Sequence, residues 1–286
     1  MARTAGAAAS VGSPAVATYL DRILAAHRAA AAEDRRPLVD LLHAARSLPP
    51  ARGFGAALVA TPGLAVIAEV KRRSPSRGPL APDLDPAALA RHYAAGGAAC
   101  LSVLTDTEFF GGSAADLAAA RAACALPVLR KDFTVGPRDV CDARIMGADC
   151  VLLIANALGG GELAELCAVA AEVGIDALVE VHDEDDLARA VAAGATLVGV
   201  NQRDLVTFEV DPARAERLAP LLPAGTVAVA ESGVRDGADA ARLAAAGYRA
   251  VLVGEALVTA ADPTALVTDL RGAGGAEPAG PAPADR

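Results

Sequence analysis

Lysine is almost missing. Of the 26 basic residues in this 286-residue chain only Lys71 and Lys131 are lysines; the rest are arginines. Arginine holds its proton under ordinary conditions, whereas lysine can be tuned to give one up. Two lysines in so arginine-biased a chain read as positions where arginine will not serve, with chance in a biased composition as the alternative. Tryptophan is absent and there are three tyrosines, so the chain has little emission in the indole band. The five cysteines (Cys100, Cys124, Cys141, Cys150, Cys167) are odd in number and make no Cys-x-x-Cys pair. They read as reduced core residues of a cytoplasmic protein. His27, His43, His92 and His182 are scattered without metal-ligand spacing, so no metal is expected. No apolar run reaches the roughly 18 residues a transmembrane helix needs. Positive charge is not in excess either: a net charge of −9 argues against nucleic acid or an acidic membrane as partner.

What is present is a rhythm. The chain is 53% hydrophobic, ample for a large core. From Ala65 onward short apolar runs alternate with alanine-rich stretches. The runs predict strands at Ala65–Val70, Ala99–Leu104, Pro127–Lys131, Cys150–Ala155, Ala177–Val181, Leu197–Val200, Thr226–Ala230 and Ala250–Val253. Stretches such as Asp85–Ala95, Arg138–Met146, Glu162–Val173, Glu184–Ala193 and Arg235–Ala246 predict helices, with glycine near their ends at Gly96-Gly97, Gly147, Gly174, Gly194 and Gly247. Near-continuous apolar strands are those of a parallel sheet buried on both faces. Eight such units give an α/β fold of the (β/α)8 barrel type. An open doubly wound sheet is the alternative, but no G-x-G-x-x-G follows the first strand. A helix is expected from Tyr19 to about Arg46, ended by Pro49-Pro50. The division expected is a disordered tail over 1–15, one barrel domain over 16–271 with its N-terminal helical extension at 16–64, and a second disordered tail over 272–286. The start, MARTAGAAASVGSPAVA, has no leucine-rich stretch and reads as tail rather than signal peptide.

In such a barrel the active site is built at the C-terminal ends of the strands. Read there, the first strand ends in Glu69 and Lys71, which share a face because side chains alternate. The third ends in Lys131-Asp132-Phe133, the fifth carries Glu180 and then His182, and the sixth ends in Asn201-Gln202-Arg203. The seventh ends in Glu231-Ser232-Gly233 and the eighth in Gly254-Glu255. Both lysines and three acids thus gather at one rim, more than ion pairs filling a barrel layer would require. Ser232-Gly233 and Gly254-Glu255 stand where barrels often hold a phosphate, with Ser74 of the S-P-S-R-G turn as a further donor. Gly159–Gly161 reads as a flexible loop rather than a phosphate cradle, and Asp183–Asp186 as a solvated helix start.

The segments IAEVKRRSPSRG, LSVLTDTEFFGGS, PVLRKDF, GADCVLLIA, LVEVHDEDDL, GVNQRDLVTFEVD, VAESGV and VLVGEAL, running from about Ile67 to Leu257, together resemble the indole-3-glycerol phosphate synthase family. The helical segment from Tyr19, with ARGFGAAL, resembles that family's N-terminal extension, which is expected to cover the bottom of the barrel. The resemblance implies a lyase of tryptophan biosynthesis. It would close the indole ring of 1-(2-carboxyphenylamino)-1-deoxyribulose 5-phosphate with loss of carbon dioxide and water, using no cofactor or metal. The substrate is a small anion, for which Lys71, Lys131 and Arg203 would supply a positive patch. The resemblance makes Lys131 the general acid and Lys71 the carboxylate holder and proton assistant. Glu180 would be the base, and Glu69 would orient Lys71. Asn201, Glu231 and Ser232 would position the sugar chain, and Phe133 would pack on the aromatic ring. Ser74, Gly233, Gly254 and Glu255 would hold phosphate.

Three positions depart from the pattern: Gln202 stands where Asn is expected, Gly53 where an acid is common, and Gly159–Gly161 is unusual. Competing readings are weaker. Phosphoribosylanthranilate isomerase needs a cysteine after the first strand and an aspartate after the sixth, where this chain has Glu69/Lys71 and Asn201. A scaffold barrel without activity should have lost one of Lys71, Lys131 or Glu180. A monomer or weak homo-oligomer is expected.

Overall fold

The computed structural model describes residues 18–273. The two expected tails lie outside them, save that Gly272 and Ala273 finish the last helix. Eight parallel strands close into a barrel: β1 (Ala65–Val70), β2 (Cys100–Leu104), β3 (Val128–Lys131), β4 (Cys150–Ile154), β5 (Asp176–Val181), β6 (Leu197–Asn201), β7 (Val227–Glu231) and β8 (Ala250–Val253). Each pairs with its sequence neighbours, and β8 pairs back to β1, as Ile67 opposite Leu252 shows. The (β/α)8 barrel is therefore the fold observed.

Period-two alternation divides the strands into two faces. Val66, Ala68 and Val70 of β1 join a core between strands and helices, while Ala65 and Ile67 join one inside the barrel. Cys100, Leu129, Leu178, Leu197 and Val229 line that interior too. Two residues further along five of the strands, the inward position turns polar: Ile67 is followed by Glu69, Cys100 by Ser102, Leu129 by Lys131, Leu178 by Glu180 and Val229 by Glu231. The top interior layer is thus ionic while the layers below are aliphatic.

The N-terminal residues form three helices, not one. α1 (Tyr19–Glu33) starts at a capping box in which Thr18 and Asp21 satisfy each other's backbone. It stops before Pro37, whose ring excludes a continuing helix, and α2 (Leu38–Arg46) follows. The break is held by Arg36, which binds both Asp34 and Asp142 at 2.7 Å. α3 (Phe54–Ala60) plugs the base of the barrel. Its Phe54 and Leu58 are fully buried in the interior core, worth about 1.5–3 kcal/mol each. Asp149 and Asp176 accept from the Arg52 and Gly55 amides at 2.8 and 2.9 Å. Only α3 covers the bottom, however. α1 lies at the opposite end, with Tyr19 edge-on to Phe109 and Phe208 and His27 hydrogen-bonded to Asp106. The extension wraps from rim to base and ends in the apolar plug of Phe54 and Leu58.

Two further expectations are corrected. The Gly159–Gly161 segment opens a helix, α4 (Gly160–Val173), capped where Glu162 accepts from the Gly159 amide at 2.7 Å. In α5 (Glu184–Ala192), Asp186 is buried rather than solvated, because it accepts from the His182 amide at 3.1 Å.

Candidate active site

The polar layer opens into a cavity of about 890 Å³ at the C-terminal rim. Lys131 stands in it with Nζ 3.0 Å from Glu180 Oε2 and 2.5 Å from Glu231 Oε2. Lys71 Nζ lies 2.8 Å from Glu69 Oε1. Ser102 donates to the other Glu69 oxygen at 3.2 Å, and the buried Tyr93 hydroxyl donates to the Glu69 carbonyl at 3.0 Å. Asn201 donates from Nδ2 to Glu180 Oε1 at 3.0 Å. Its Oδ1 accepts from Ser232 Oγ at 2.8 Å and from the Arg203 amide at 3.0 Å. Ser232 has φ +65°, a left-handed conformation unusual for serine and paid for by these contacts. Gln202, in place of the expected Asn, donates to the Ser232 carbonyl at 2.7 Å and supports that turn.

Burial and charge separate the ionisable groups. Burial disfavours the Lys131 ammonium, but Glu180, Glu231 and Glu69 outweigh it and hold its proton more tightly than usual. Burial also works against an ionised Glu180; Lys131, then His182 and the Asn201 amide reverse this and bring it to about 2. Glu231 goes the other way. Burial dominates there, Lys131 only partly offsets it, Glu180 and Glu69 add repulsion, and the carboxyl is pushed up to about 7. Its Oε1 is buried without a hydrogen-bond partner. Two carboxyls on one ammonium thus have well-separated proton affinities, the condition for distinct acid and base roles.

Glycine makes room for this layer. A Cβ on Gly199 would collide with Glu231 Oε1, and one on Gly254 with Glu69 Oε1 and with Lys71 Nζ, the latter at 2.9 Å. Gly254 therefore faces the Glu69–Lys71 pair.

The remaining expected residues line the same cavity, which includes Ser74, Phe133, Arg203, Gly233 and Glu255. Phe133 packs against Phe110 and His27, with ring centroids 6.0 and 5.6 Å away. The Ser74 hydroxyl accepts from the Arg77 amide at 3.3 Å. The Glu255 carboxylate binds Arg77 Nε at 2.8 Å and lies 4.0 Å from Arg203, so only its backbone is free for an anion. Arg203 also donates to the Phe208 carbonyl at 3.0 Å. The expected positive patch is consequently not net positive: Lys71, Lys131 and Arg203 each face a carboxylate.

Ser102, Tyr93, Gly199, Tyr19 and His27 were not foreseen. Ser102 could have been found from the period of two that places it level with Glu69. Tyr19 and His27 have no such signal, because nothing local says that α1 reaches the rim. His27, Asp106 and Asp132 lie within 4.8 Å of one another. Their oxygens are already engaged: Asp132 by Thr105 at 2.5 Å and Arg130 at 2.9 Å, and Asp106 by His27 and by the Phe109 and Phe110 amides. The cluster is a clasp between α1 and the rim.

Comparison with known proteins points to one family. The chain is 49% identical over 252 residues to the indole-3-glycerol phosphate synthase of Chlorobium luteolum, covering 87% of this chain and 96% of that protein. It is 51% identical over 268 residues to that of Rhodococcus opacus, covering 93% and 99%. Among solved structures, a 3-hexulose-6-phosphate synthase superimposes with a TM-score of 0.56 at 20% identity, over 73% of this chain and 99% of that one, a likeness of fold alone. The sequence profile described as "Indole-3-glycerol phosphate synthase" matches residues 20–270, nearly all of what the structure describes, and the chain belongs to that family.

Proposed function

We propose that this chain converts 1-(2-carboxyphenylamino)-1-deoxyribulose 5-phosphate to indole-3-glycerol phosphate, with loss of carbon dioxide and water. The observation that carries the reading is Lys131 held between Glu180 and Glu231 in the cavity that also holds the Glu69–Lys71 pair. Lys131 gives a proton to the ribulose carbonyl oxygen as the aromatic carbon attacks, and becomes a neutral amine. Lys71 holds the substrate carboxylate beside Glu69 until carbon dioxide leaves. Glu180 takes the proton whose loss accompanies departure of the hydroxyl as water, with Lys71 as acid partner. Phe133, backed by Phe110, packs on the aromatic ring. Asn201, Ser232 and Glu231 set the sugar chain, and backbone groups at Gly233, Gly254 and Glu255, with Ser74 and Arg203, receive the phosphate. An anionic metabolite as substrate fits a cytoplasmic enzyme, and we propose that it works as a monomer or weak homo-oligomer. The test is direct because the chain has no tryptophan. Adding the substrate should give indole fluorescence that grows in proportion to enzyme; a flat trace from folded protein sinks the reading.

A further inference from the structure

His182 follows Glu180 by two residues, just beyond the end of β5, and is 9% exposed. Neither ring nitrogen has a hydrogen-bond partner among the described residues. Yet Nε2 lies 3.5 Å from Glu180 Oε1 and Nδ1 lies 3.6 Å from Asp186 Oδ2. Both neighbours are carboxylates, which accept and do not donate when ionised. A neutral imidazole has one N–H and one lone pair, so one side would turn a lone pair toward an anion. Only a ring protonated at both nitrogens suits both sides.

We propose that His182 is a positioning residue: an imidazolium wedged between Glu180 and Asp186 that keeps the Lys131 proton on Lys131 instead of letting it pass to Glu180. The inference rests on the proposed reaction. In a water-poor layer an ammonium and a carboxylate can neutralise each other by proton transfer, which would leave Lys131 unable to act as acid. A second cation beside Glu180 favours its ionised form and opposes that transfer. Glu231, the other partner of Lys131, is pushed up to about 7. After Lys131 has passed its proton to the substrate oxygen, His182 is the charge that remains beside Glu180.

The charged groups around the ring are Glu180 on its own strand, Asp186 on α5, and Arg214 on α6 (Ala213–Leu218). Arg189 stands behind Asp186 at 3.7 Å. Burial and Arg214 oppose protonation, Asp186 and Glu180 favour it, and the net is a ring more basic than free histidine.

Two measurements test this on the intact chain. The first is an NMR titration of the four histidine rings, in the parent protein and in Glu180→Gln, with His182→Gln to assign the signal. The His182 titration should move to lower pH in Glu180→Gln, and also in Asp186→Asn, which serves if the first variant fails to fold. A titration unmoved in a folded variant overturns the proposal. The second is steady-state kinetics of His182→Gln. kcat should fall about tenfold or more, with KM within about twofold and the acid limb of the pH profile displaced to higher pH. An unchanged kcat, or a loss confined to KM, overturns it. If the parent protein makes no indole product, the proposed reaction has failed, and the NMR result still decides whether His182 is paired with Glu180.

Discussion

Lys131 and Glu231 meet at 2.5 Å although their strands, β3 and β7, are not neighbours in the sheet. The contact crosses the inside of the barrel, and an arginine in place of Lys131 would keep the charge but neither the reach nor the acidity. Lys131→Arg should lower kcat by about a hundredfold or more with a small change in KM, read from initial rates of indole fluorescence. Near-normal turnover would remove Lys131 from the acid role.

Glu231 gives the site a pH dependence of known sign. Below about 7 it is protonated and adds no charge beside Lys131; above about 7 it adds a further negative charge to the layer. An anionic substrate then meets more repulsion, so KM should rise as pH climbs through about 7, and Glu231→Gln should flatten that rise. Stability follows the same sign. Its raised folded value means a contribution fully present below the ordinary 4.5 and lost as pH rises through about 7. Melting curves of Glu231→Gln should gain on the parent between pH 5 and 8; a constant gap would contradict the assignment.

Gly254 has φ −116°, which alanine accepts without strain, so its requirement is space. Gly254→Ala should fold normally by circular dichroism while displacing Glu69 and Lys71. A misplacement of that order costs about a hundredfold in turnover. Full activity would show that the pair can shift without harm.

The clasp on α1 titrates as well. Asp106 and Asp132 outweigh burial and raise the His27 value above the ordinary 6.5. Its contribution to holding α1 is therefore present below 6.5 and lost as pH rises through the raised value. Asp106 is lowered, chiefly by His27 against burial, and its contribution is lost only as pH falls below the carboxylate range. His27→Ala should raise KM several-fold through loosening of Tyr19 and Phe133, and should speed hydrogen exchange in α1 at pH 6. Unchanged exchange in α1 would dismiss the clasp.

Much of this was legible in the chain because barrel geometry is periodic. An apolar run with one acid or lysine two residues after an inward position, as in Ile67–Glu69 or Leu129–Lys131, names both a strand and the layer its polar residue joins. The helix break at Pro37 was also written locally, in a residue whose ring forbids continuation. The placement of α1 was not, because Tyr19 meets Phe208 and His27 meets Asp106 only through contacts between segments far apart in the sequence. Nor was the buried state of Asp186, since an acidic run at a helix start looks solvated until the fold brings His182 over it. Gly254 was visible as a glycine, but its use for space beside Glu69, in addition to phosphate approach, depends on how β8 lies against β1.

Both side-chain amines of this chain lie in one cavity, 14% and 16% exposed. Reagents that acylate amines ordinarily decorate a protein's outer surface and report little. Here, apart from the amino terminus, the amines line the candidate site, and the tightly held proton of Lys131 leaves Lys71 as the amine that reacts. A general chemical probe thus becomes a selective one, and protection from it by a bound ligand reads directly as occupancy.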